Sequence, residues 1–110
     1  MTKLTESDIE RAVDYLRDSA EATAQARANR VYLEEYRKSL KAMLMKKFDG
    51  TAAAQEREAY AHADYVAHLE ALKVAVFDEQ KALFLREAAM AKIEWWRTSS
   101  ANYRGMSRAA

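Results

Sequence analysis

Residues 40–74 read LKAMLMKKFDGTAAAQEREAYAHADYVAHLEALKV and contain Gly50, one of only two glycines in a chain of 110 residues without proline. Most residues on either side of Asp49-Gly50-Thr51 are strong helix formers, so a long helix is expected to stop at this tripeptide. Gly50 suits the left-handed conformation that ends many helices, and Thr51 suits the cap of the next helix. The stretch therefore predicts two long helices joined by a short region in the middle of the chain.

The first long helix, helix A, is predicted over residues 7–48. It begins at Ser7-Asp8-Ile9-Glu10, a capping box in which the Ser7 hydroxyl accepts from the Glu10 N–H while the glutamate side chain reaches back. Acidic residues in the first turns suit the positive end of the helix dipole. Because no breaker occurs before Gly50, helix A is expected to be continuous.

A short helix is predicted over residues 52–61 and the second long helix, helix C, over 64–103. A break near residue 62 separates them, Asp64 is the expected cap of helix C, and the second glycine follows its end. Helices A and C match in length. The predicted fold is therefore all-α: one helical domain, residues 1–110, built on a long antiparallel helical hairpin.

Helix C carries more large apolar residues than one partner helix covers. One stripe consists of Leu69, Leu72, Val76, Leu83 and Met90. A second stripe beside it consists of Val66, Phe77, Phe84, Ala88, Ala91 and Trp95. Together they form an arc of roughly 160° at 100° per residue. The first stripe is predicted to be the core of a homo-oligomer, most simply a dimer that completes a coiled-coil-like bundle, since two-fold dimers are the commonest assembly.

The apolar face of helix A changes along its length. One face holds Ile9, Val13, Leu16, Ala20 and Ala24, and another holds Leu33, Tyr36, Leu40 and Leu44. The change falls in the alanine-rich stretch SAEATAQARAN at residues 19–29. Two explanations stay open: helix A bends around its partner, or its N-terminal arm leaves the hairpin and packs on a second subunit.

Charge is distributed unevenly although the net charge is only +1. Residues 27–47 hold seven basic and two acidic groups, whereas residues 49–87 hold four basic and eight acidic groups. Within the basic block, Arg37, Lys38 and Lys41 are candidates for contacts with nucleic-acid phosphates. In an antiparallel hairpin the block would also face the acidic region, and charge complementarity inside the fold is the preferred explanation.

The C-terminal stretch KIEWWRTSSANYRGMSR, residues 92–108, carries the candidate binding site. Adjacent residues of a helix point about 100° apart, and by this count Trp95 falls on the apolar arc while Trp96 falls opposite. Trp96, Arg97, Tyr103 and Arg104 are therefore predicted to contact a partner protein or nucleic acid. Burial of Trp96 in a subunit interface is the alternative.

No residue pattern supports catalysis. Cysteine is absent, and the two histidines, His62 and His68, would point in different directions on a helix. No phosphate-binding glycine loop and no HExxH motif occur, so no catalytic residue, metal ligand or cofactor is predicted, and the protein is interpreted as a non-enzyme. Because no apolar run approaches the roughly 20 residues of a membrane span and the first twenty residues lack an apolar segment, a cytoplasmic protein that does not bind membranes is expected.

Three stretches of the chain resemble small helical early-region proteins of tailed phages and prophages. They are YRKSLKAMLMK at 36–46, AAAQEREAYAHADY at 52–65 and KIEWWRTSSANYR at 92–104. The resemblance implies a phage-type accessory protein of the host cytoplasm. Two hypotheses follow: a non-catalytic interaction module that binds or modulates a host or phage DNA replication, recombination or defence protein, or a protein that binds single- or double-stranded nucleic acid directly.

Overall fold

The computed structural model describes residues 3–109 of the chain. The helices are α1 (Glu6–Asp18), α2 (Ala20–Met45), α3 (Ala52–Ala61) and α4 (Ala63–Ala109). About 90% of the structure is helical, and no strand occurs between residues 3 and 109. The prediction of an all-α protein built on a long antiparallel helical hairpin, with a short helix between the long ones, is confirmed.

The first helix begins earlier than predicted. Thr5 is its N-cap: the Thr5 hydroxyl accepts from the Asp8 N–H at 3.2 Å, and the Asp8 carboxylate accepts from the Thr5 N–H at 2.8 Å. The predicted box from Ser7 to Glu10 is therefore wrong. The chain contains the Ser/Thr-x-x-Asp/Glu pattern twice, two residues apart, and the earlier copy is used. The bond from the Thr5 backbone, followed by those from the Thr5 and Arg11 side chains, lowers the pKa of Asp8.

Helix A is not continuous, because Ser19 separates α1 from α2. Helical hydrogen bonds persist on both sides, from Ser19 N–H to Tyr15 O and from Thr23 N–H to Ser19 O, each at 2.9 Å. Between them, Arg86 Nη1 donates to Leu16 O at 2.7 Å and to the Ser19 hydroxyl at 2.8 Å. Arg86 therefore bonds to α1 and to Ser19 at the point where α1 ends and α2 begins.

The turn region follows the prediction more closely. The second helix ends at Met45, three residues before the predicted end at residue 48. Gly50 has a φ of +111°, in the left-handed range that favours glycine. Thr51 caps α3 as predicted, because its hydroxyl accepts from the Ala54 N–H at 3.1 Å.

The break between α3 and α4 is at His62. The His62 Nδ1 atom accepts from the Asp64 N–H at 3.0 Å, so His62 and not Asp64 caps the last helix. At its other end α4 continues through Gly105 to Ala109, beyond the predicted end at residue 103. One glycine inside a helix costs only about 1 kcal/mol relative to alanine, which is too little to stop a helix by itself.

The chain divides into two compact units. Unit 1 takes in the described residues up to Thr23 and from Lys81 onward, and unit 2 comprises Ala24–Gln80. Within unit 1, α1 packs on α4 of its own chain through Ala12 and Ala89, which are both buried. In the single chain the N-terminal arm therefore packs inside its own hairpin, and packing of this arm on a second subunit stays a prediction.

Buried residues of the long helices follow a heptad pattern rather than the predicted stripes. Between residues 63 and 98 the α4 residues that are not exposed are Tyr65, His68, Leu72, Ala75, Glu79, Ala82, Arg86, Ala89, Ile93 and Trp96. The matching residues from α1 through α2 are Ala12, Leu16, Ser19, Thr23, Ala26, Arg30, Leu33, Leu40 and Leu44. Spacings of three and four residues alternate, as is typical of coiled coils, except between Leu33 and Leu40, where Arg37 is exposed. We call these two sets the seam.

The seam corrects the predicted faces of helix A. Val13, Ala20 and Ala24 are predicted to share a buried face, but all three are exposed. The later set, from Leu33 to Leu44, is half-buried or buried as predicted. The buried face does not change at the alanine-rich stretch; it continues through small and polar residues that a search for large apolar side chains overlooks.

The apolar core lies in unit 2, where α3 packs. Leu44 and Ala59 have exposed fractions of 2% and 0%, and they form one cluster with Tyr65. Leu40 and Met45 pack against this cluster. The short third helix thus supplies the side chains that a two-helix hairpin lacks.

Candidate interaction surfaces

The seam of unit 2 contains a buried ion pair. Glu79 is 3% exposed, and its carboxylate accepts from Arg30 Nη2 at 3.2 Å and from Arg30 Nε. Arg30 also donates to Glu34 at 2.9 Å. These hydrogen bonds lower the pKa of Glu79 and raise that of Arg30. Within the basic block of helix A, Arg30 is therefore used to neutralise a buried acid of the same chain.

The two histidines bond to the backbone. The His68 Nε2 atom lies 2.7 Å from Leu33 O, and its ring packs on Tyr36 with 5.6 Å between the centroids. His62 caps α4, as described above. Among residues 3–109 no group of three or more histidine, cysteine or acidic side chains is arranged to hold a metal ion.

The polar seam leaves large apolar residues of α4 outside the hairpin. Of the predicted oligomer core, only Leu72 is half-buried in the seam, whereas Leu69, Val76, Leu83 and Met90 are exposed. In unit 2, Phe77 is 65% exposed, and in unit 1, Phe84 is 61% exposed. Each unit therefore presents apolar side chains that its own helices do not cover. Their role as an oligomer core stays a prediction.

The three predicted phosphate contacts on α2 do not form one site. Arg37 and Lys38 are exposed, and Lys38 lies 3.9 Å from Glu35. The Lys41 ammonium, by contrast, lies 3.1 Å from the Glu56 carboxylate and 4.8 Å from the centre of the Tyr60 ring. Its bond to Glu56 lowers the pKa of that carboxyl group. Lys41 thus links α2 to α3, Lys38 lies beside Glu35, and Arg37 is the member of the three with no ion pair within residues 3–109.

The exposure of the two tryptophans is the reverse of the prediction. Trp96 is half-buried in the seam, seven residues after Ala89, whereas Trp95 is 54% exposed. The inference that Trp96 is left in water is wrong, because the seam follows heptad spacing and not the arc drawn through the large apolar residues. A partner contact of Trp96 through its remaining exposed edge stays a prediction.

The C-terminal segment, residues 95–108, contains the longest run of exposed residues in the described part of α4. All side chains from residue 101 to residue 108 are exposed, and Tyr103 and Met106 are 75% and 73% exposed. Arg97 donates to Glu94 at 2.7 Å, and Arg104 is exposed. Two turns of helix thus carry large side chains with no intramolecular cover within the described chain.

Unit 1 also contains an open groove of about 280 Å³. Its lining consists of Asp8, Arg11, Ala12, Tyr15, Leu85, Ala88, Ala89 and Lys92. The Asp8 carboxylate is already engaged by Thr5 and Arg11. No buried side-chain nitrogen or oxygen within residues 3–109 lacks a hydrogen-bond partner, so the groove contains no buried polar group that would require a ligand.

No family model matches the chain, and no curated protein or solved structure is significantly similar to it. The resemblance to phage early-region proteins therefore stays an interpretation of the sequence. Within residues 3–109 none of the helices combines the length and the apolar character that a membrane span needs. The fold and its surfaces define an all-α hairpin protein with uncovered apolar side chains on its longest helix.

Proposed function

We propose that this protein is a non-catalytic helical interaction module that presents the C-terminal segment of α4 to another macromolecule. One observation carries the proposal: α4 remains helical to Ala109 although no side chain from residue 101 to residue 108 is covered. Short helical segments without packing are marginally stable in water. A partner that covers Tyr103 and Met106 would stabilise this end of the helix.

The composition of the segment favours a protein partner. Aromatic residues and arginine are enriched at binding hot spots, and Trp95, Tyr103 and Arg104 are exposed together with Met106. Following the resemblance to phage early-region proteins, the proposed partner is a DNA replication, recombination or host defence protein in the host cytoplasm. Catalysis has no part in this proposal.

Affinity capture with matched variants tests the protein-binding proposal. The test variant combines Tyr103→Ala with Arg104→Ala, and the control combines Tyr32→Ala with Arg57→Ala, which removes an exposed tyrosine from α2 and an exposed arginine from α3. Proteins held by the wild type and by the control should be lost from the test variant at unchanged helix content. Equal retention by all three proteins contradicts the proposal.

Direct nucleic-acid binding is the second candidate, and one observation favours it. Arg97, Arg104 and Arg108 follow one another at spacings of seven and four residues, which places them on one helix face. No acidic residue occurs from Trp95 to Arg108. Three phosphate contacts would give a log–log salt slope of about −2 to −3. A mobility-shift titration on single- and double-stranded DNA at two salt concentrations measures it, and no binding at low salt removes this candidate.

A further inference from the structure

The middle of α4 carries an exposed face with an ordered pattern, which we call the outer face. Val76 and Leu83 lie seven residues apart along one edge, and Phe77 and Phe84 lie seven residues apart along the other. Between these edges, at 100° per residue, run Lys73, Gln80 and Glu87. All seven residues are exposed. The outer face thus has two apolar edges and a polar centre line.

This pattern is self-complementary about Gln80. In an antiparallel pair of identical helices, residues at about equal distances before and after the two-fold axis meet each other. An axis at Gln80 brings Val76 opposite Leu83 of a second copy and Phe77 opposite Phe84 of that copy. Each contact occurs twice, so four apolar pairs form along the two edges.

The polar centre line selects the orientation. An axis at Gln80 sets Lys73 opposite Glu87 of the second copy, again twice, because each lies seven residues from the axis. A parallel pair in register would instead set lysine against lysine and glutamate against glutamate, which is repulsive. Neither Lys73 nor Glu87 takes part in an ion pair within residues 3–109.

We propose that the outer face binds a second copy of this chain, with the two α4 helices antiparallel and the two-fold axis at Gln80. The same register sets Leu69 opposite Met90 of the second copy, which extends the apolar contact by one heptad at each end. The outer face does not overlap the C-terminal segment at residues 95–108. Failure of the dimer therefore leaves the proposed function intact, and the reverse holds as well.

Sedimentation of the full chain gives the first test. At tens of micromolar the wild type should sediment as a dimer of twice 12.6 kDa, and Val76→Asp or Leu83→Asp should yield monomers. Both positions are exposed in the single chain, so helix content should not change. A wild type that remains monomeric overturns the proposal.

Charge reversal tests the register. Lys73→Glu or Glu87→Lys alone turns two attractive pairs into repulsive ones and should raise the dimer dissociation constant about tenfold. The double variant restores attraction with the signs exchanged and should return to within a few-fold of the wild type. A double variant as weak as the single ones contradicts the pairing of these two residues.

A disulfide tests the orientation, because the natural chain has no cysteine. Gln80→Cys places one thiol at the proposed axis, next to its own symmetry mate, and should form a covalent dimer on mild oxidation. Ala91→Cys lies on the same exposed side of α4 but eleven residues from the axis, so it should not cross-link. Cross-linking of both variants indicates a parallel pair, and cross-linking of neither shows that the face is not covered in this way; either result overturns the proposal.

Discussion

Unit 1 and unit 2 are held together in different ways. Unit 2 has a third helix and a core in which Leu44 is almost completely buried against Ala59 and Tyr65. Unit 1 has two helices, and the only side chains that it buries within the described residues are Ala12 and Ala89. Apolar burial contributes about 25 cal/mol per Å², so two buried alanines contribute little. The comparison indicates that α3 concentrates the stability of the chain in unit 2.

The largest effect should follow from truncating the core of unit 2. Leu44→Ala removes a side chain that is 2% exposed and should lower the free energy of unfolding by about 2–5 kcal/mol. Leu83→Ala, at an exposed position, is the matched control and should cost much less at concentrations where the chain is monomeric. Urea denaturation followed by circular dichroism measures both. Equal losses would show that the stability does not reside in the α3 core.

Acid should lower the stability of unit 2, because it protonates Glu79 in the buried ion pair. Since Arg30 holds the pKa of Glu79 below its ordinary value of 4.5, the folded chain favours the ionised form. The resulting stability is fully present above about pH 4.5 and is lost as the pH falls through the folded-state pKa. Between neutral pH and about pH 3, the melting temperature of Glu79→Gln should fall less than that of the wild type. Glu58→Gln, at an exposed position of α3, is the control and should behave like the wild type.

Unit 1 should respond most to the loss of the hydrogen bonds that Arg86 makes to residues far away in the sequence. Arg86→Met keeps much of the side-chain volume but removes the hydrogen bonds to Leu16 O and the Ser19 hydroxyl, at an expected cost of about 1–3 kcal/mol. Amide hydrogen exchange should accelerate in α1 and remain nearly unchanged in α3. Acceleration in both helices would contradict the separation of the two units.

The smallest effects, of opposite sign, are expected at the two glycines. Gly105 lies within α4, and a methyl group added at its Cα would meet no atom within 4 Å, so Gly105→Ala should stabilise the C-terminal segment by up to about 1 kcal/mol. Gly50 has a φ of +111°, and Gly50→Ala should destabilise the chain by about 1 kcal/mol or more. Thermal melting of the two variants gives the signs. A loss of stability at Gly105 would show that this end of α4 is not helical in solution.

The candidate site could be predicted only in outline. The aromatic and arginine residues of the C-terminal segment are visible in the sequence, and Arg97, Tyr103 and Arg104 are exposed as that prediction requires. The roles of the two tryptophans are reversed, because adjacent residues differ by about 100° and the buried direction is inferred from large apolar side chains. The seam spacing, which includes Ala89 and Ile93, identifies Trp96 as the inward residue. That spacing is present in the sequence but is carried mainly by alanine and polar residues.

The sequence by itself determined the all-α class, the central break and the short third helix. These features depend on local properties: high helix propensity, a glycine that tolerates positive φ, and a threonine hydroxyl that caps the next helix. Only the tertiary structure decided which face of each long helix is buried. That face is selected by long-range bonds, from Arg30 to Glu79 and from Arg86 to Leu16 O, between residues far apart in the chain. Hydrophobic periodicity cannot predict such bonds, because it depends only on the positions of apolar side chains. In this protein many of the apolar side chains of α4 are exposed to solvent.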